Sequence, residues 1–223
     1  VWIDDQVIRH CDKPLHIETF IPSGQSVVLG RSNKAELEVH EDRCAEDNIP
    51  VLKRYGGGGT VLLHPGCVVA SVGCWVESPY NNDLYFKLLN QSLIDCFIEH
   101  FKGYEFLQRG FSDIVYEDRK FVGTSLFRSR QYLLYQASIL VDLNIETINR
   151  YLQHPSKEPD YRKGRHHRDF LVGLQELDSR FSAEVCHRIL EGELESYVKS
   201  HLGAELTSPL ESHIPHLLKR ANI

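Results

Sequence analysis

No apolar run in this chain of 223 residues approaches the roughly 20 residues that a membrane-spanning helix needs. Positive charge is not in excess either. Lys and Arg number 25 against 31 Asp and Glu, and the formal net charge of −6 argues against a broad nucleic-acid footprint. The six cysteines, Cys11, Cys44, Cys67, Cys74, Cys96 and Cys186, include no Cys-x-x-Cys pair. Neither a structural zinc site nor a small disulfide scaffold fits that spacing, so reduced thiols in a cytoplasmic protein are expected. The residues carry no signal-peptide pattern, internal repeat or low-complexity tract. Methionine is missing altogether, which is unusual at this length but excludes no function.

What is present is ordinary globular composition, 42% hydrophobic and 25% charged, long enough to bury a sizeable core. The spacing of Ile3, Val7 and Ile8 predicts a helix over 2–10, with strands at 15–20 and 26–30. Residues 35–47 are charged and expected on the surface. Strand signals return at 51–55, 60–64 and 68–76. Asn82 is a candidate N-cap for a helix reaching about residue 101, with Phe86, Leu89, Leu93 and Phe97 on its buried face. Residues 113–124 read as a hairpin turning at Glu117-Asp118-Arg119, 132–143 are β-rich, and Asn144 can cap a short helix. Residues 155–168 form a long basic loop. An amphipathic helix follows over 182–202 through Val185, Ile189, Leu194 and Val198. This mixture, without regular β-α alternation, predicts an α+β fold whose mixed, largely antiparallel sheet is flanked by helices.

The most informative stretch is Arg54-Tyr55-Gly56-Gly57-Gly58-Gly59-Thr60. Four glycines remove the Cβ atoms that would keep a ligand from the main chain, and their N–H groups can cradle an anion. By itself such a run is more often a flexible turn. No Gly-Lys-Ser/Thr follows it, so it is not a nucleotide P-loop. A second segment, Lys120-Phe121-Val122-Gly123-Thr124-Ser125, places a cation next to a small residue and two hydroxyls.

Together with Ser112-Asp113-Ile114-Val115, these segments resemble the lipoate–protein ligases, within the superfamily of biotin ligases, lipoate ligases and octanoyltransferases. The likeness covers roughly 2–202, which is expected to be the catalytic domain, with 203–223 a tail and no separate accessory domain. It implies a catalytic core of the biotin ligase and class II synthetase type. It also implies two chemical steps: lipoate attacks ATP to give lipoyl-AMP, and an acceptor lysine then takes the acyl group. The resemblance makes Lys120 the catalytic cation. Arg54, Gly57, Gly58 and Gly59 would surround the adenylate, and Thr60, Val61 and Leu63 would line the acyl tunnel. Asp113, Gly123, Thr124 and Ser125 join the binding set, with Mg²⁺ accompanying ATP near Asp113 and no fixed metal site elsewhere. Implied acceptors are lipoyl domains of 2-oxoacid dehydrogenase E2 or glycine-cleavage H-type proteins. A separate chain for adenylate formation is a further implied partner; nucleic acid and membrane are not.

The sequence departs from the family pattern at Ser112, at Cys67 after the Pro-Gly turn, and at Gln136-Ala137 in place of His-Gly. Cys67 and Gln136 are therefore candidate selectivity residues. Three other readings stand beside the ligase. An ATP-independent octanoyltransferase needs a thiolate nucleophile after the lysine segment, but 121–185 holds no cysteine; Cys67 alone keeps that reading open. A biotin ligase would interleave arginines among the glycines. The departures also fit a degenerate homologue that binds an adenylate without turnover. His166-His167, adjacent in a loop, are not expected to bind a metal, and the basic residues Arg162, Lys163, Arg165 and Arg168 are expected to face phosphates or an acidic acceptor.

Overall fold

Alternation along one buried strand sets the layers of this protein, whose computed structural model describes residues 4–221. In the fifth strand, Val68, Ala70, Val72 and Cys74 face a large apolar cluster, while Val69 and Trp75 belong to clusters on the other side. The strands are β1 (Leu15–Phe20), β2 (Ser26–Leu29), β3 (Val51–Lys53), β4 (Val61–Leu63), β5 (Cys67–Trp75), β6 (Leu107–Arg109), β7 (Asp113–Tyr116), β8 (Arg119–Ser129) and β9 (Tyr132–Leu140). Six form an antiparallel sheet in the order β1-β5-β9-β8-β7-β6. The other three form a small mixed sheet, β3-β2-β4, in which β2 pairs parallel with β3 and antiparallel with β4.

The helices are α1 (Asp5–Ile8), α2 (Ala35–Glu38), α3 (Glu41–Glu46), α4 (Asn82–His100), α5 (Ile145–Tyr151), α6 (His167–Phe170), α7 (Leu174–Leu177), α8 (Ala183–Leu202) and α9 (Ile214–Arg220). Helices α4 and α8 cover one face of the large sheet. Phe86, Leu89, Leu93 and Phe97 of α4 and Ile189, Leu194 and Val198 of α8 are all buried there. On the opposite face, Val7 and Ile8 of α1 and Leu217 of α9 pack with Trp75 and Tyr132. Residues 203–221 are thus built onto the same sheet; Leu206 forms a bridge with Val76. Among the described residues no helix is long and apolar enough to cross a membrane.

Several expectations need correction. The N-cap of α4 is Asn81, whose side chain accepts from the Leu84 N–H at 3.1 Å; Asn82 instead accepts from Arg128. Residues 35–47 are not uniformly exposed. They form α2 and α3, and Glu38, Val39 and Cys44 are buried, the latter two against Ile148 and Tyr151. Trp2 and Ile3 of the first expected helix lie outside the described residues. The Asn144 cap holds, accepting from the Thr147 N–H, as does the start of α8 under a Ser182 cap. The strands that flank the glycine segment, β3 and β4, do not pair with each other; β2 lies between them.

One irregularity positions the site. Ile114 on β7 stands opposite Val122, but its neighbour Val115 stands opposite Lys120, so β8 carries a bulge at Phe121. Phe121 and Val122 consequently both enter the core, and Lys120 and Gly123 share the other face.

Candidate active site

Arg54 follows directly on β3 and turns inward. Its Nη2 donates to the carbonyls of Gly57 and Gly59 at 2.7 and 2.6 Å, and its Nε donates to Gly57 at 3.2 Å. A weaker bond runs from Nη1 to the Val28 carbonyl at 3.4 Å. The guanidinium is therefore a brace that curls the loop around itself. Gly58 has φ +90°, and a Cβ on Gly30 would meet the Gly58 carbonyl at 2.2 Å, so both positions require glycine. Burial lowers the Arg54 pKa to about 10, and the nearby Asp4 carboxylate opposes that shift. Asp4 is itself fully buried and accepts from the Tyr55 N–H behind the loop. Burial raises its pKa to about 6, against the lowering effect of that bond and of Arg54.

Across the cleft, the Lys120 ammonium lies 2.7 Å from Asp113 Oδ1. The other Asp113 oxygen accepts from the Tyr161 hydroxyl at 2.8 Å, and burial and this carboxylate push the Tyr161 pKa far up. The Lys120 backbone is fixed as well, its carbonyl accepting from the Val172 N–H at 3.0 Å.

Two adjoining cavities open here. The larger, about 560 Å³, lies between the glycine loop and the 155–171 segment. The smaller, about 90 Å³, is walled by Val28, Val61, Leu63, Val69 and Ala137 with the polar Gln136 and Ser125. Lys120, Asp113, Gly123, Gly58, Gly59, Thr60 and Val61 stand in the walls of both. These expected residues are thus brought together.

Others are placed differently. Gly57 lines neither cavity and serves through its carbonyl. Thr124 borders the smaller cavity, but its hydroxyl donates to the Ser112 carbonyl at 2.5 Å. Arg54 also borders the smaller cavity, yet its donors are bound to carbonyls, so it does not present a free fork to a phosphate. Cys67 is fully buried, lines neither cavity, and has a pKa pushed up to about 12 by burial.

The basic loop supplies residues that motif spacing did not single out. Arg162 is buried over the Phe170 ring, 4.6 Å from its centroid, and its Nη2 has no hydrogen-bond partner although the residue lines the larger cavity. Such an unpaired buried donor is costly unless a ligand satisfies it. His167 also lines this cavity, and burial, together with Arg162, lowers its pKa to about 4, so it is neutral at pH 7. His166 is exposed and lines neither cavity. The signal in the sequence was only the density of cations between residues 157 and 168.

Both Asp113 oxygens receive donors, from Lys120 and Tyr161, so a Mg²⁺ ion accompanying ATP would reach this carboxylate only once the Lys120 ammonium has moved off it. No cysteine lines either cavity, and all six thiols are buried.

A family model for the lipoyl protein ligase A/B catalytic domain matches residues 3–192. The inactive lipoate–protein ligase 2 of Plasmodium falciparum is 24% identical over 197 residues, covering 71% of this chain and 50% of that protein. The chain spans about half the length of the curated relatives it matches. In fold it resembles the bipartite lipoate protein ligase of Thermoplasma acidophilum, studied with its E2 lipoyl domain, with a TM-score of 0.73 and 18% identity over 99% of this chain and 87% of that one. It also resembles a lipoate-protein ligase A bound with ATP, with a TM-score of 0.70 and 19% identity over 98% of this chain and 89% of that one.

Proposed function

Because the chain belongs to the family of lipoyl protein ligase A/B catalytic domains, we propose that it joins lipoate to ATP and passes the lipoyl group to a lysine of a lipoyl-domain protein. The observation that carries this reading is Lys120, a cation in the wall shared by a narrow apolar recess and a roomier chamber whose wall also holds Asp113, Glu158, Arg162 and His167. The recess suits an acyl chain, its carboxylate emerging at the ammonium. The chamber suits a nucleotide lying between Gly58-Gly59 and the 155–171 segment, where a phosphate oxygen would be met by Arg162 once its buried, unpaired Nη2 turns toward the chamber.

In the first step a carboxylate oxygen of lipoate forms a bond to the α-phosphorus, and pyrophosphate leaves with the electron pair of the broken P–O bond. In the second the acceptor amine attacks the acyl carbon, AMP leaves, and the amine loses a proton. Negative charge gathers on phosphate and carbonyl oxygens in both steps. Lys120 stabilises that charge by moving from Asp113 to the substrate, and the absent Cβ of Gly123 gives it room. Asp113 and Tyr161 then act by holding the ammonium poised at the junction. Arg54 acts through the shape of the loop.

A lipoyl domain of the 2-oxoacid dehydrogenase E2 or glycine-cleavage H type is the proposed acceptor, in the cytoplasm. The buried, high-pKa thiols speak against a cysteine acyl carrier. The test is the mass of an apo lipoyl domain incubated with this protein, lipoate, ATP and Mg²⁺. An ATP-dependent gain of one lipoyl group is expected. Gain only from preformed lipoyl-AMP would assign activation to another chain, and gain from octanoyl-carrier protein without ATP would replace the ligase reading with transfer. Tight binding of lipoyl-AMP with no transfer to any acceptor would mark a non-catalytic homologue.

A further inference from the structure

Far along the sheet from β8, on its β1 edge, two imidazoles converge on one carboxylate. His16 and Glu18 are two residues apart on β1 and so share a face, while Leu15 and Ile17 between and beside them pack against the core. His10 reaches the same spot from the turn after α1. His16 Nε2 lies 3.1 Å and His10 Nε2 3.9 Å from the same oxygen, Glu18 Oε1, and the two rings are 4.1 Å apart between centroids. One donor atom from each residue falls within 4.8 Å of the other two, and no other group of three such residues does so among the described residues. None of the three lines either cavity.

We propose that His10, His16 and Glu18 bind a divalent transition metal of the zinc class, with water completing its coordination. Two imidazoles and a carboxylate form a nitrogen-rich, borderline donor set that favours zinc, nickel or copper over magnesium or calcium. A tetrahedral ion with bonds of about 2.1 Å holds its ligand atoms about 3.4 Å apart. The observed separations from Glu18 Oε1, 3.1 and 3.9 Å, lie on either side of that value, and all three donor atoms fall within 4.8 Å of one another, so an ion would replace the His16–Glu18 hydrogen bond and draw the two rings inward. The backbones are already fixed. His16 and Glu18 pair with Gly73 and Ser71 of β5, and the turn carrying His10 is tied down by bonds from His10 N–H to Val7 and from Lys13 N–H to His10. Partial exposure leaves the donors open to an arriving ion. Bound there, the ion would pin the turn after α1 to the sheet edge, away from the reacting groups.

The full chain, stripped with chelator, is titrated with Zn²⁺ by calorimetry, with Mg²⁺ as the comparison ion. One Zn²⁺ per chain is expected, weakened at least tenfold in both H10Q and H16Q and unchanged in H166Q. Absence of a one-to-one isotherm, or an unchanged one in either H10Q or H16Q, overturns the proposal. A readout independent of any variant is diethylpyrocarbonate labelling mapped by mass spectrometry: Zn²⁺ must protect His10 and His16 while leaving His166 reactive. Equal labelling of all three with and without Zn²⁺ also overturns it.

Discussion

The Lys120 side chain lies back over Gly123, so that a Cβ on that glycine would meet both Nζ and Cε of the lysine at 3.0 Å. Three positions apart on a regular strand, the two would face opposite ways; the bulge at Phe121 puts them together. Gly123→Ala therefore displaces the ammonium rather than the backbone. We expect a fall of about ten- to a hundredfold in the rate of adenylate formation, since a misplacement of about 1 Å has that cost. The melting temperature should hardly move, because the obstructed atoms end a flexible side chain. A pyrophosphate-release assay beside thermal unfolding checks both halves.

Lys120→Met removes the charge and keeps most of the stem. A loss of about a hundred- to a thousandfold in adenylate formation is expected, the range for deleting one preorganised donor. The folded state should persist, and circular dichroism verifies this. Near-normal activity in a folded variant would sink the assignment of Lys120.

Arg54→Lys tests the brace. A lysine keeps the charge but cannot reach the Gly57 and Gly59 carbonyls as a planar fork does. Losing these charge-assisted bonds should lower stability by about 1.5–3 kcal/mol and raise the KM for lipoate or ATP. Denaturant unfolding and steady-state kinetics measure the two effects.

Asp4 makes the fold sensitive to pH. Its pKa rises from 3.8 to about 6 on folding, so the folded state holds this proton more tightly than the unfolded one. The associated stability is present below about pH 4 and is lost as pH rises through about 6, amounting to about 3 kcal/mol at most. Asp4→Asn keeps an oxygen for the Tyr55 N–H and removes the titration. Urea unfolding between pH 4 and pH 7.5 should show a shallower decline in the variant, with the variant the more stable near pH 7.

Arg162→Gln addresses the unpaired donor in the larger cavity. About a tenfold rise in the KM for ATP is expected, with lipoate binding little altered, because Arg162 lines the chamber and not the apolar recess. Equal effects on both substrates would point to disruption of the 155–171 segment, which protease sensitivity would reveal.

By itself the sequence determined the local elements and the motifs: the apolar stripes of α4 and α8, the cap at Asn144, the turn at Glu117-Asp118, and the presence of a glycine loop and Lys120. Those follow from interactions spanning a few residues, which periodicity and composition record directly. Only the tertiary structure decided that Arg54 points into its own loop, that the Thr124 hydroxyl turns to Ser112, that Cys67 stays out of the cavities, and that Arg162 joins the chamber. The face on which Lys120 stands depends on how β8 aligns with β7, and a one-residue shift reverses every side chain. Pairing register and the meeting of distant segments are set by the whole packed core, so no window of the chain contains them.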